Sequence, residues 1–189
     1  MITQILTALI ANYLTTTFVI GLLVALIRIG RRRGHRTTEF VSGALLNSFV
    51  VWAIGVGQTV NFVMHAFFGD YAAKTIGWAQ SPFQLELALS SLGFGVMAFI
   101  LGRRAAPLVG KVAIVIGTAV FGFGAAGGHV FQLVVNHDVA VNNGGLLLIS
   151  DIVINTVGLL LVIWHAAAAR RSPGSTDAVR AMTGRPARV

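Results

Sequence analysis

Residues 77–86 read Gly-Trp-Ala-Gln-Ser-Pro-Phe-Gln-Leu-Glu, and this stretch predicts the point where a loop becomes an apolar helix. Ser81 is a preferred N-cap residue, Pro82 suits the first helical position, and Gln84 stands where a capping box places its partner. Glu86 follows within the helix, roughly 6 Å below its start at the helical rise per residue. Because an acid inside a membrane helix is costly without a partner, Glu86 is a candidate functional residue.

The composition of the chain is that of a membrane protein. Of its 189 residues 56% are hydrophobic and 11% are charged, whereas soluble domains carry about 25% charged residues. The net charge of +8 raises the question of nucleic acid binding. The basic residues flank long apolar runs and are not interleaved with aromatic side chains, so we exclude nucleic acid as a partner. The chain has no cysteine, which excludes disulfides and thiolate metal sites.

Five apolar segments are long enough to cross a hydrocarbon layer of about 30 Å, which takes roughly 20 helical residues. They lie at residues 5–27, 40–65, 82–101, 112–135 and 145–168. The sequence therefore predicts an all-α, polytopic membrane protein with five transmembrane helices in one bundle. This domain comprises residues 1–169. Residues 170–189 have no apolar period and are predicted to form a basic, disordered cytoplasmic tail.

Arginine and lysine are distributed unevenly among the connections. All 14 of them except Lys74 follow the first or the fifth span or join the third span to the fourth. The positive-inside rule then predicts that the N-terminus is outside and the C-terminus is cytoplasmic. The predicted location is the bacterial cytoplasmic (inner) membrane, with the lipid bilayer as its surroundings.

The connection between the second and third spans, residues 66–80, is too apolar for a free linker. Its aromatic residues are Phe67, Phe68, Tyr71 and Trp78. We expect a short amphipathic helix that lies at the membrane interface, with Trp78 at the level of the lipid headgroups.

With this orientation, ionisable side chains from four spans reach a similar depth in the outer half of the bundle. Glu86, His129 and Asp151 each lie roughly 6 to 10 Å below the outer boundary, and His65 closes the outer end of the second span. Helical spacings of three and four add amides to the same faces. These are Gln58 and Asn61 beside His65, Gln132 beside His129, and Asn155 beside Asp151. The sequence predicts a polar pocket centred on Glu86, His129 and Asp151.

The residue types leave three uses of this pocket open. It could bind a small ligand or exchange a proton between a carboxylate and an imidazole. It could hold a metal ion such as iron, manganese or zinc through His65, Glu86, His129 and Asp151, although the Glu-x-x-His spacing of helical-bundle metal sites is absent. Or its polar groups could form a structural clasp that fixes helix register. The cofactor and any enzyme activity stay undetermined.

Glycines are concentrated in the fourth span. Gly122, Gly124, Gly127 and Gly128 precede His129, and small residues let helices approach closely in lipid. This glycine-rich helix is expected to pack within the bundle. The alternative is a non-catalytic membrane subunit or scaffold that packs through this helix against a membrane protein partner or a second copy of the chain.

These motifs together resemble a family of small prokaryotic membrane proteins, domain of unknown function 6790 (DUF6790). The residues that carry the resemblance are His65, Asp70, Ile76-Gly77-Trp78, Ser81-Pro82-Phe83-Gln84, Glu86, Gly124-Ala125-Ala126, Gly128-His129, Asn136, Asn143-Gly144-Gly145 and Asp151-Ile152. The element Trp-x-x-Ser-Pro-Phe-Gln-x-Glu is the most specific, and the resemblance covers about residues 47–161. It implies an integral membrane protein without an assigned activity.

Overall fold

The computed structural model describes residues 1–171, with the exception of the side chains of residues 5 and 6. This part of the chain is helical and contains no strand. The helices are α1 (Ile2–Ala11), α2 (Tyr13–Gly30), α3 (Thr38–Phe67), α4 (Gly69–Ile76), α5 (Phe83–Leu101), α6 (Leu108–Val135) and α7 (Leu146–Arg170). The predicted cytoplasmic tail lies outside the described residues from position 172 onward.

Five of these helices, α2, α3, α5, α6 and α7, are long and apolar enough to cross a membrane. The predicted fold class, an all-helical chain with five such spans, is thereby confirmed. The first span differs from its predicted bounds, since it begins at Tyr13 and is preceded by the separate helix α1. Asn12 makes this break, because its side-chain amide donates a hydrogen bond of 2.9 Å to the carbonyl of Ala8 and its backbone leaves the helical conformation.

Helix α3 is the centre of the bundle. In its most apolar window 56% of the residues are buried, against 17–33% in the other four spans, so the other spans pack around it. Its middle section, Phe49–Val56, is a π-helix. This form is rare in proteins, and where it does occur it is often at a functional site. Phe49 and Val50 in this section belong to the hydrophobic core, which also includes Val115 of α6 and Val162 of α7.

The connections divide the bundle into two ends. Residues 31–37 and 102–107 lie at the arginine-rich end, and residues 68–82 and 136–145 lie at the opposite end. Helix α4 lies within the first connection of the opposite end and stops at Gly77, whose φ of +86° suits glycine. A Cβ at Gly77 would also stand 2.5 Å from the carboxylate of Asp138. The predicted short helix is therefore present, and its position at the membrane interface stays a prediction.

Candidate functional site

A cavity of about 300 Å³ lies between the spans toward the opposite end of the bundle. This volume is at the lower limit of the range that small-molecule sites occupy. Most of the wall is apolar, with Leu14, Ile54, Leu87, Phe121 and Ile154 among its members. The polar members of the wall are Tyr13, Gln58, Asn61, His65, Ser81, Gln84, Thr118, His129, Ser150, Asp151 and Asn155.

The structure brings six of the predicted pocket residues to this one cavity. They are Gln58, Asn61, His65, His129, Asp151 and Asn155. The other two predicted residues lie elsewhere. Glu86 is exposed on α5, and Gln132 is half-buried outside the cavity and accepts a hydrogen bond from Asn136. Helix α5 turns Gln84 and Leu87 toward the cavity, so Glu86, which lies between them in sequence, points away from it.

A chain of hydrogen bonds joins three spans along one wall of the cavity. The hydroxyl of Tyr13 on α2 donates to Oδ1 of Asn61 on α3 at 2.6 Å. The amide of Asn61 donates in turn to the hydroxyl of Ser91 on α5 at 2.8 Å. Asn61 and Ser91 are buried, and a buried polar group is stable only when it is paired. This chain therefore fixes the register of α2, α3 and α5.

Asn143, in the connection after α6, organises a second network. Its amide nitrogen donates to the carbonyls of Asp138 at 2.7 Å and His129 at 3.4 Å. Its Oδ1 therefore accepts, from Nδ1 of His129 at 2.9 Å and from the indole of Trp78 at 3.3 Å. The Trp78 ring also lies 5.2 Å from the imidazole of His129 between centroids. Since Nδ1 donates, Nε2 of the neutral His129 ring is left as an acceptor.

The side chain of Gln84 holds His65 in the same tautomer. Its amide nitrogen donates to the carbonyl of Gly69 at 3.0 Å and to the side chain of Gln80. Its Oε1 therefore accepts from Nδ1 of His65 at 2.9 Å, and Nε2 of the neutral His65 ring is an acceptor. Gln84 thus links the end of α3, the start of α4 and the start of α5.

The start of α5 differs from the predicted capping box. The helix begins at Phe83 with Pro82 as its N-cap residue. The hydroxyl of Ser81 accepts from the backbone N–H of Phe83 at 3.3 Å, as a capping side chain does. The backbone N–H of Ser81, however, donates to Gln80 at 2.9 Å and not to Gln84. Gln84 is free for the tertiary contacts described above.

A shallow cleft adjoins the cavity on the surface of the opposite end. We call it the surface cleft; its walls include Phe67, Phe68, Asp70, Tyr71, Gln80 and Leu85. His65, Ser81 and Gln84 line both the surface cleft and the cavity. The hydrogen-bonded pair of His65 and Gln84 therefore belongs to the partition between the two spaces.

Two polar groups at the cavity lack a partner. Asp151 is the only carboxylate in the wall, and within residues 1–171 no side chain donates a hydrogen bond to it or forms an ion pair with it. Oε1 of Gln58 is buried and accepts no hydrogen bond from residues 1–171 either. Native structures rarely leave such groups unpaired unless water, an ion or a ligand meets them.

The predicted metal site has no ligand cluster in the structure. Among the residues that the structure describes, no three His, Asp or Glu side chains come together as metal ligands. Glu86 is exposed, and both histidines commit Nδ1 to a glutamine or an asparagine. The wall is better suited to form hydrogen bonds with an organic molecule than to coordinate a metal ion.

The sequence interpretation missed four residues that build the site. The sequence places Trp78 at the membrane interface and Gln84 in a helix cap, marks Asn143 only through the family resemblance, and gives Tyr13 no role. Trp78, Gln84 and Asn143 all belong to the run that carries the family resemblance, which was the available signal. Tyr13 had no such signal, because its role depends on the contact between α2 and α3.

Comparisons with known proteins identify the family of the chain and nothing beyond it. No curated protein and no solved structure matches the sequence. The sequence model of the family of unknown function DUF6790 matches residues 11–171, which include all five spans and the whole wall of the cavity. The chain therefore belongs to the DUF6790 family.

Proposed function

We propose that this multi-pass membrane protein binds a small ligand in the cavity between its spans. The single observation that supports this proposal most strongly is the composition of the wall. Apolar side chains enclose a few convergent polar groups, as in most small-molecule sites. Asp151 and Gln58 are unpaired there, so a purely structural clasp leaves part of the polar wall unexplained.

The proposal places the cavity in the extracytoplasmic half of the inner membrane. The arginine-rich end carries residues such as Arg31, Arg33, Arg103 and Arg104, and such clusters stay in the cytoplasm. The opposite end, with the cavity and the surface cleft, then faces the outside. A ligand would enter from the surface cleft when the contact between His65 and Gln84 opens.

A cavity-filling variant tests this function. Ala125 lines the cavity from α6, and Ala125→Phe is expected to occupy the space of the ligand. Wild-type protein purified in a mild detergent should carry a small molecule that native mass spectrometry detects, and Ala125→Phe should lose it. Val120 is 70% exposed on the same helix, so Val120→Phe adds a similar bulk on the lipid-facing side and serves as the control.

Two results would contradict the proposal. One is wild-type protein that carries no small molecule and is not stabilised by any member of a metabolite library. The other is a bound molecule that Ala125→Phe retains as well as Val120→Phe does, because that molecule would then sit outside the cavity.

A second candidate function, packing against a membrane partner, is favoured by the surface of α6. A Cβ added at Gly124 or at Gly127 would meet no atom within 4 Å, whereas Gly122 packs directly against Asn155 of α7. The outward glycines leave room for the close approach of another helix. In a mild-detergent mass measurement, a complex that Gly127→Leu disrupts would support a subunit role, and a monomer for both proteins would exclude it.

A further inference from the structure

The hydrogen-bond donors around the cavity are mostly committed to the protein. The hydroxyl of Tyr13 donates to Asn61, and both N–H groups of Gln84 donate outside the cavity. The hydroxyl of Thr118 donates to the backbone of its own helix, and the amide of Asn155 donates to the carbonyl of Asp151 at 2.6 Å. The amide of Gln58, which makes no hydrogen bond with the described residues, is the main donor left to a bound molecule.

Three strong acceptors of the wall, in contrast, have no hydrogen bond from the described residues. The carboxylate of Asp151 accepts no hydrogen bond from the described residues. His65 and His129 each use Nδ1 as a donor, so the Nε2 atom of each neutral ring is an acceptor without a protein partner. A wall whose free acceptors include a carboxylate and two imidazoles is complementary to a ligand that donates hydrogen bonds.

The charge and the aromatic content of the wall favour the same ligand. No lysine or arginine among residues 1–171 lines the cavity, so this part of the chain supplies no cation to balance an ionised Asp151. A charge in such a site needs a partner. Tyr13, Phe49, Trp78, Phe83 and Phe121 line the cavity as well, and the faces of aromatic rings attract cations.

We propose that the cavity binds an organic cation, a compact ammonium-type group on an apolar body, whose N–H groups face the carboxylate of Asp151. This inference rests on the proposed binding function and names the chemical class of its ligand. The imidazoles of His65 and His129 would accept further hydrogen bonds from the same group, and the aromatic wall would hold the apolar body.

The test uses three probes of nearly equal size that differ in charge. They are 4-phenylbutylamine, 4-phenylbutanol and 4-phenylbutyrate. Full-length protein in lipid nanodiscs is titrated with each probe by calorimetry, and the signal of empty nanodiscs is subtracted. We expect the amine to bind at least about tenfold more tightly than the alcohol, because a charge-assisted hydrogen bond is worth that factor or more, and the acid to bind most weakly.

A pair of variants assigns the effect to Asp151. Asp151→Asn should reduce the affinity for the amine about tenfold while the affinity for the alcohol stays the same, because only the charge is lost. Glu86→Gln removes an exposed acid of α5 and should change neither affinity. If Asp151→Asn does not fold, the comparison of the three probes on the wild-type protein still decides whether the cavity prefers a cation.

Each alternative outcome overturns the proposal of a cation in a recognisable way. Equal binding of the amine and the alcohol, with both lost in Ala125→Phe, would keep the cavity as a binding site and reject its preference for a cation. An amine affinity that is the same in Asp151→Asn would place the cation elsewhere. Binding of none of the three probes would reject the cation, and the search for a co-purified molecule would then decide on the binding function by itself.

Discussion

At the scale of the residue, the site depends on side chains whose hydrogen bonds fix their neighbours. Asn143 is completely buried and holds His129, Trp78 and the connection after α6 in one arrangement. Gln84 does the same for His65. Both amides accept from the Nδ1 of a histidine, so both imidazoles present the same atom, Nε2, as an acceptor.

Substitution of Asn143 should therefore destabilise the protein. Asn143→Ala leaves the buried Nδ1 of His129, the indole N–H of Trp78 and the carbonyl of Asp138 without their partner, and we expect a loss of about 2 kcal/mol or more in the free energy of unfolding. Thermal unfolding in detergent measures this loss. Asn142→Ala is the matched control. The backbone N–H of Asn142 donates a hydrogen bond to the carbonyl of Thr75, and the substitution keeps this bond. Equal stability of the two variants would contradict the role of Asn143.

Tyr13→Phe tests the chain of hydrogen bonds across α2, α3 and α5. The substitution keeps the ring and removes the hydroxyl that Asn61 accepts from, so a loss of about 1 kcal/mol is expected. Tyr71 is 50% exposed in the connection after α3, and Tyr71→Phe should leave the unfolding temperature at the wild-type value. The contact is refuted if Tyr13→Phe unfolds at that temperature as well.

At the scale of the element, α4 is attached to the bundle by a small number of hydrogen bonds. The carbonyl of Gly69 at its start accepts from Gln84, and at its other end the carbonyl of Thr75 accepts from the backbone of Asn142 at 3.1 Å. Asp70 in its first turn also accepts from Gln80, and two of its alanines are buried. A short helix tied by few hydrogen bonds still opens more readily than a long packed span. Helix α4 and the His65–Gln84 pair together are thus suited to control access to the cavity.

Gln84→Leu should loosen α4 and leave the spans intact. The substitution removes the hydrogen bonds to His65 and Gly69, so amide exchange with deuterium should accelerate over Gly69–Ile76, by about fivefold or more for the loss of roughly 1 kcal/mol. Glu86→Leu makes the same kind of change at an exposed position two residues later and should exchange like the wild type. Unchanged exchange of α4 in Gln84→Leu would show that another contact holds it.

At the scale of the whole molecule, the sequence was sufficient for the number of spans and for the family. Apolar length defines a span locally, and the prediction of five spans and of DUF6790 is confirmed. The depth of the polar side chains in the bundle could also be predicted from the sequence, since the helical rise alone brings His65, His129 and Asp151 to one level. The rotation of a helix was accessible only where several polar side chains mark one face, as Gln58, Asn61 and His65 do on α3. Helix α5 has no such face, so only packing decides which side of it faces inward. The sequence predicts Glu86 in the pocket, whereas the structure turns Gln84 there.

The break before α2 and the π-helix of α3 also have no signal in the hydropathy of the sequence. Asn12 interrupts an otherwise apolar run through one side-chain bond, which hydropathy does not register. Phe49–Val56 is uniformly apolar, so its sequence carries no signal that distinguishes a π-helix from an α-helix.

The orientation of the bundle can be measured cleanly because the chain has no cysteine. A single cysteine at Lys74 should react with a membrane-impermeant maleimide added to intact cells, and a single cysteine at Arg104 should react only after the cells are lysed. The reverse pattern would mean that the arginine-rich end is outside and that the cavity opens toward the cytoplasm.

Single-cysteine labelling also tests the central claim, that a cavity between the spans admits small molecules. Ala125 lines this cavity, whereas its neighbour Gly124 faces away from the bundle at nearly the same depth. A thiol reacts as the thiolate, which forms only where polar solvent reaches it. A small cationic methanethiosulfonate reagent should therefore modify Ala125→Cys, more slowly when 4-phenylbutylamine is present, and should spare Gly124→Cys. An unreactive Ala125→Cys, or equal rates at the two positions, would show that small molecules do not enter the cavity.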